Sequence, residues 1–70
     1  MEELTFGQKI REWRKAAGLS QTALGIACGY KESSAMRTVQ FWEHDTQLPS
    51  IMIARRLAEA LKITLDELIP

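Results

Sequence analysis

Few residues in this chain have side chains that could make or break a covalent bond. His44 is the single histidine and Cys28 the single cysteine. A general base works on a nucleophile within hydrogen-bond reach and is itself oriented by a third group. No Ser or Cys stands at a recognisable spacing from His44, and a histidine at a helix end suits a solvated or capping imidazole. Cys28 lies among small residues and reads as a small buried hydrophobe. One His and one Cys give neither a zinc ligand set nor an internal disulfide. With no glycine-rich phosphate loop either, the chain reads as a non-enzyme that uses no cofactor and no metal.

What remains is non-covalent chemistry, and here the charges are informative. The 70 residues hold nine Lys plus Arg and nine Asp plus Glu, a formal charge of zero. A neutral total argues against a nucleic-acid partner, because such binders are usually basic. Along the chain, however, the charge is uneven. Residues 4–42 carry Lys9, Arg11, Arg14, Lys15, Lys31 and Arg37 against Glu12 and Glu32, a balance of +4, whereas residues 43–70 stand at −2. A field directed from one face of the molecule follows. The 46% hydrophobic and 26% charged content is that of an ordinary globular chain, and the length suits a single domain spanning residues 1–70. No apolar run approaches the roughly 18 residues of a membrane span. Met1-Glu2-Glu3 is acidic where a signal peptide is basic. A cytoplasmic protein without a membrane partner is expected.

The elements that would position these groups are all helical. Phe6, Ile10, Trp13 and Ala17 follow one another at four, three and four residues, the period of one helix face, and predict helix 1 over about 6–17. Thr5 with Gln8 has the form of a capping box, and Gly18 is suited to end the helix. Ser20 is a good N-cap for a two-turn helix over Gln21 to Cys28, closed by Gly29. Val39 and Trp42 place helix 3 over Ala35 to His44, with Ser33 or Ser34 as its cap. Leu48-Pro49 breaks the chain, so a loop is expected over about 45–49. Ser50 then caps a fourth helix in which Ile53, Leu57 and Leu61 recur every fourth residue. Thr64 with Glu67 forms another capping box, opening a last turn that ends at Pro70. Nothing alternates with period two. A domain this small must bury nearly every large apolar side chain, and Trp13, Leu19, Leu24, Val39, Trp42, Ile53, Leu57 and Leu61 are the expected core.

A short helix, a turn and a second short helix, backed by a longer first one, is the arrangement that seats an exposed helix in the major groove of DNA. The residues Ile10-Arg11-Glu12-Trp13-Arg14, Gly18-Leu19-Ser20-Gln21, Leu24, Gly29, Trp42-Glu43, Pro49-Ser50 and Leu65-Asp66-Glu67-Leu68 carry a more specific likeness. The chain resembles the lambda-repressor-like, Xre-type helix-turn-helix family over roughly residues 6–69. That likeness implies an all-α, compact five-helix domain with the helix-turn-helix at helices 2 and 3. It also implies a sequence-specific DNA-binding regulator, a repressor, acting on double-stranded DNA.

Site residues follow from the likeness position by position. Gln21, at the start of helix 2, matches a contact to the DNA backbone, where free N–H groups and the positive end of the helix dipole meet a phosphate. Met36, Arg37, Thr38, Gln40 and Phe41 match the base-reading face of helix 3, and Lys31 completes the DNA-binding set. Arg37 suits a guanine through two hydrogen bonds, Gln40 an adenine, and Thr38 offers a methyl or hydroxyl. Arg14 and Glu43 match positions that form a partly buried ion pair tying helix 1 to the end of helix 3.

The sequence also departs from the family pattern. Between Gly29 and Glu43 it has about four extra residues, placed at 30–34. They either lengthen the turn or extend helix 3 by nearly one turn of 3.6 residues. The loop His44-Asp45-Thr46-Gln47-Leu48 lacks the Gly, Lys and Arg usual there, so Asp45 must take over the helix-ending role. Phe41 stands where a polar reader is common, and Ile26 with Cys28 makes helix 2 unusually apolar. An alternative function follows: a protein-interaction module of the same fold, of antitoxin or phage-accessory type, that binds a protein partner through an apolar patch of Ile26, Tyr30, Met36, Phe41 and Leu48. The discriminating observation is whether Met36 and Phe41 lie on the solvent face beside Arg37 and Gln40. Relatives often act as symmetric dimers on palindromic half-sites. Leu65, Leu68 and Ile69 are the residues expected at a homodimer contact.

Overall fold

The computed structural model describes residues 3–68, which form five helices: α1 (Phe6–Ala16), α2 (Gln21–Ala27), α3 (Glu32–Glu43), α4 (Ile51–Leu61) and α5 (Leu65–Leu68). There is no strand among the described residues. Four starts have hydroxyl caps of the predicted kind, among them Thr64 Oγ1, which accepts from Glu67 N at 3.1 Å, and these satisfy amides that have no partner inside a helix. Thr5 Oγ1 accepts from Gln8 N while Gln8 Oε1 accepts from Thr5 N, a complete capping box. Ser20 and Ser50 do the same for the amides of Ala23 and Ile53.

Helix α3 begins earlier than the sequence indicates, at Glu32 instead of Ala35, and neither serine caps it. Its N-cap is Lys31, whose side chain makes no capping bond. Lys31 O instead accepts from Ser34 N and Ala35 N, and Ser34 Oγ turns back to donate to the same carbonyl at 3.3 Å. Glu32 in the first turn favours the helix dipole. Tyr30, edge-on to Trp42 at 5.9 Å between ring centroids, anchors the chain just before it. The four extra residues thus lengthen α3 and leave a short turn at 28–31.

The ends of the first four helices share one device, a residue in the left-handed region closed by two backbone bonds. Gly18 and Gly29 serve α1 and α2, and two non-glycine residues, Asp45 and Lys62, both at φ +58°, serve α3 and α4. At Asp45 the N–H donates to Trp42 O, and the next amide, Thr46 N, donates to Phe41 O. Its side chain also reaches back across the fold, where Oδ1 accepts from the Gly7 amide in the first turn of α1 at 2.9 Å.

The core holds Leu24, Val39, Trp42, Leu57 and Leu61 as predicted, together with Ile10, Cys28, Ala54, Ala58 and Leu68. Trp13, Leu19 and Ile53 are only partly buried and pack against its edge. The expected dimer contact needs correction at Leu68. The single turn of α5 folds back on α4 and α1 and leaves Leu68 0% exposed, so this side chain completes the core of its own chain. Leu65 is partly buried against the same core, and Ile69 lies outside the described residues. Two close approaches set the angles between helices. A Cβ at Gly7 would run into the carbonyl oxygens of Trp42 and Glu43, and one at Gly25 would stand 2.6 Å from Ala35 Cβ. α1 therefore rests directly on the end of α3, and α2 on its beginning.

Candidate nucleic-acid interface

With its ends held at Gly25 and Gly7, α3 turns Ala35, Val39, Trp42 and Glu43 inward. The opposite stripe, at spacings of four and three, carries Ser33, Arg37 and Gln40, with Met36 beside it. Arg37 and Ser33 are exposed and Gln40 is half-buried. Met36 is half exposed, on the same side, whereas Phe41 is partly buried and its carbonyl accepts the amides of Thr46 and Gln47. Thr38 stands apart from the stripe, about 100° around the helix from Arg37, and its hydroxyl donates to Ser34 O at 2.9 Å. That donor is already committed to the backbone. Lys31 is exposed at the N-cap.

Behind the stripe runs a hydrogen-bonded chain of side chains that begins in α1. Arg14 Nε donates to Glu43 Oε2 at 2.6 Å, Arg14 Nη2 lies 3.4 Å from Oε1, and Nη1 donates to Leu19 O at 2.9 Å. The two side chains are 12% and 3% exposed. A carboxylate only accepts, so Glu43 Oε1 draws the Gln21 amide nitrogen toward itself, at 3.1 Å. The Gln21 oxygen is thereby turned outward, where it accepts from Gln40 Nε2 at 3.3 Å. One hydrogen of the Gln40 amide is engaged there, which leaves its oxygen and second hydrogen for another partner.

Beside this chain an open cleft of about 410 Å³ is lined by Arg11, Arg14, Ser20, Gln21, Glu43 and His44. Arg14 is neutralised by Glu43, and Arg11 brings an exposed guanidinium to the start of α2. A second cleft of about 440 Å³ lies between α2 and the start of α3, lined by Thr22, Glu32, Ser33, Ser34, Met36 and Arg37.

A family model described as helix-turn-helix matches residues 10–68. The chain belongs to the lambda-repressor-like, Xre-type helix-turn-helix family. No curated protein and no solved structure matches it. The match spans the whole arrangement described above, from Ile10 in α1 to Leu68 in α5. This is a family of DNA-binding regulators, and the helix-turn-helix of this member is α2, the turn at 28–31 and α3.

Sequence reasoning did not identify Ser33, Arg11 or Thr22. Ser33 was hidden because helix 3 was started two residues after it. The spacing Ser33, Arg37, Gln40, at four and three residues, is the signal that places it on the stripe. Arg11 and Thr22 had no such signal, since each reaches its cleft only through the packing of helices. Cys28, at the end of α2, is fully buried. Burial pushes its thiol up to about 11, against the opposing pull of the Arg56 guanidinium. Arg56 Nη1 also donates to Cys28 O at 3.2 Å, so this pair closes α2 and plays no part in the interface. No helix among the described residues is long and apolar enough to cross a membrane, and no cluster of His, Cys, Asp and Glu among them suits a metal.

Proposed function

We propose that this chain is a cytoplasmic, sequence-specific repressor, a single domain that reads the major groove of double-stranded DNA with α3 and acts as a homodimer on paired half-sites. The observation that carries the reading is the chain from Arg14 through Glu43 and Gln21 to Gln40, which fixes a base-reading amide beside the free guanidinium of Arg37. In this reading Gln40 binds adenine and Arg37 binds guanine. Gln21, Arg11 and Lys31 take backbone phosphates. Thr38 contributes its methyl, and Phe41 supports the helix from the side. Repression needs nothing beyond occupancy of the site.

Arg37 and Gln40 are three residues apart, about 4.5 Å along the helix at 1.5 Å per residue, against about 3.4 Å per base pair. Selection from a random DNA pool is therefore expected to enrich a guanine and an adenine at adjacent or next-adjacent base pairs. Between His44 and Ser50 there is no Lys or Arg. If two phosphate contacts per subunit are missing there, the salt slope of a dimer is about 3.6 shallower than with a basic loop. Absence of any enriched sequence at low salt overturns the reading and favours a protein partner on the exposed side chains of Ile26 and Met36.

A further inference from the structure

The chain departs from the family pattern by about four residues, and the structure places them in α3, which starts at Glu32 instead of Ala35. The added turn lies at the N-terminal end of the helix. In a helix-turn-helix that end contacts base edges in the major groove, so length added there belongs to the reading part of the helix. The turn is held from behind, because Gly25 of α2 rests directly on Ala35. At about 100° per residue, Ser33 lies within about 40° of Arg37 around the helix and within about 20° of Gln40. A duplex laid along Arg37 and Gln40 therefore meets Ser33 as well. Glu32, about 100° around from Ser33, stays off the stripe.

What the added turn can read follows from its uncommitted groups. Ser34 Oγ donates to Lys31 O and Thr38 Oγ1 to Ser34 O, whereas no bond among the described residues engages the exposed Ser33 hydroxyl. Ser33 and Met36 are three residues apart, which makes them neighbours on the helix surface, and both line the cleft between α2 and the start of α3. Met36 is 50% exposed there, an apolar group beside a hydroxyl donor. Thymine is the base whose major-groove edge has the matching pair, an O4 acceptor next to the C5 methyl. Cytosine presents an amino donor without a methyl, and the purine edges carry no methyl either. Along the helix Ser33 is about 6 Å from Arg37 at 1.5 Å per residue, or about two base pairs at 3.4 Å each. We infer that Ser33 and Met36 together read a thymine about two base pairs from the guanine of Arg37, on the side away from the adenine of Gln40.

This inference rests on the DNA-binding reading, and the test keeps the two apart. The intact chain first selects its half-site from a random duplex pool, which should enrich a thymine at that position besides the guanine and the adenine. Affinities are then measured for duplexes with thymine or uracil there, for wild type, Ser33→Ala and Met36→Ala. Uracil lacks only the methyl and should cost wild type roughly fourfold, the worth of one buried methyl group. Met36→Ala should bind the two duplexes alike. Ser33→Ala should lose roughly fivefold on the thymine duplex, the worth of one hydrogen bond, and keep its preference for thymine over uracil. In both variants the guanine and adenine preferences should be unchanged. Enrichment of guanine and adenine without the thymine overturns the inference and leaves the regulator reading intact, as does a wild type indifferent to uracil. A preference for thymine over uracil that survives Met36→Ala, or an undiminished affinity of Ser33→Ala, overturns it as well. Failure to bind any selected DNA overturns both readings.

Discussion

Removing Arg14 tests how α1 governs the presentation of α3. In Arg14→Ala, Glu43 keeps its carboxylate at 3% exposure and loses both guanidinium bonds, while Leu19 O loses its donor as well. The Gln21 amide is the one hydrogen-bond partner left to that carboxylate among the described residues. Leaving one member of a buried ion pair alone costs about 3–5 kcal/mol. A chain of 70 residues has a total stability of about 3.5–10 kcal/mol, so the loss is a large share of it. At about 4–8 °C per kcal/mol for a domain this small, the melting temperature should fall by about 12–40 °C by circular dichroism. Replacing both partners with apolar residues, Arg14→Met with Glu43→Leu, removes the stranded charge and should restore most of that stability. Gln21 then has no carboxylate to hold its amide, and DNA affinity should still be about 3- to 10-fold weaker, the worth of one hydrogen bond. An Arg14→Ala protein within about 1 kcal/mol of wild type, or a double variant no more stable than the single one, would refute the reasoning.

Two further outcomes are expected. Lys62 and Asp45 both hold φ at +58°, but Lys62→Gly relieves strain alone and should add about 0.5–1 kcal/mol in urea denaturation. Asp45→Gly also deletes the cap on Gly7, worth about 0.5–2 kcal/mol, and should bring no gain. Burial raises the Cys28 thiol from 9.0 to about 11, so between those values the folded chain holds a proton that the unfolded chain releases. That contribution to stability is complete below pH 9 and is lost as the pH rises to about 11. Cys28→Ala should flatten the pH slope of the denaturation midpoint in that window.

How much of this was legible in the sequence depends on whether a feature is local. The caps at Thr5, Ser20 and Ser50 were readable because a hydroxyl and the amide it accepts are three residues apart. Asp45 was readable as a helix terminator from what the loop lacks. Its bond to Gly7 was not, since the two residues are brought together from 38 positions apart. The start of α3 was missed because Glu32, Ser33 and Ser34 all face solvent, so the apolar period begins only at Ala35, and Lys31 carries no capping group. Leu68 was misassigned for a related reason. A single turn with two acids looks like surface, and only the packing of α5 on α1 and α4 shows where its leucine goes. Within the interface, the family likeness supplied Gln21, Arg37 and Gln40 as separate positions. Their order in a hydrogen-bonded chain from Arg14 came from the fold.

The most direct measurement of the central claim, that the stripe on α3 reads bases, is the affinity of wild type and Arg37→Ala for the selected half-site and for variants of it changed one base pair at a time. Wild type should lose about 1–3 kcal/mol when the guanine is changed. Arg37→Ala should bind weakly and be indifferent to that one position, while keeping its discrimination at the adenine. A uniform loss across all sites, with the guanine preference intact, would show Arg37 to be a phosphate contact and would contradict base reading by this face of the helix.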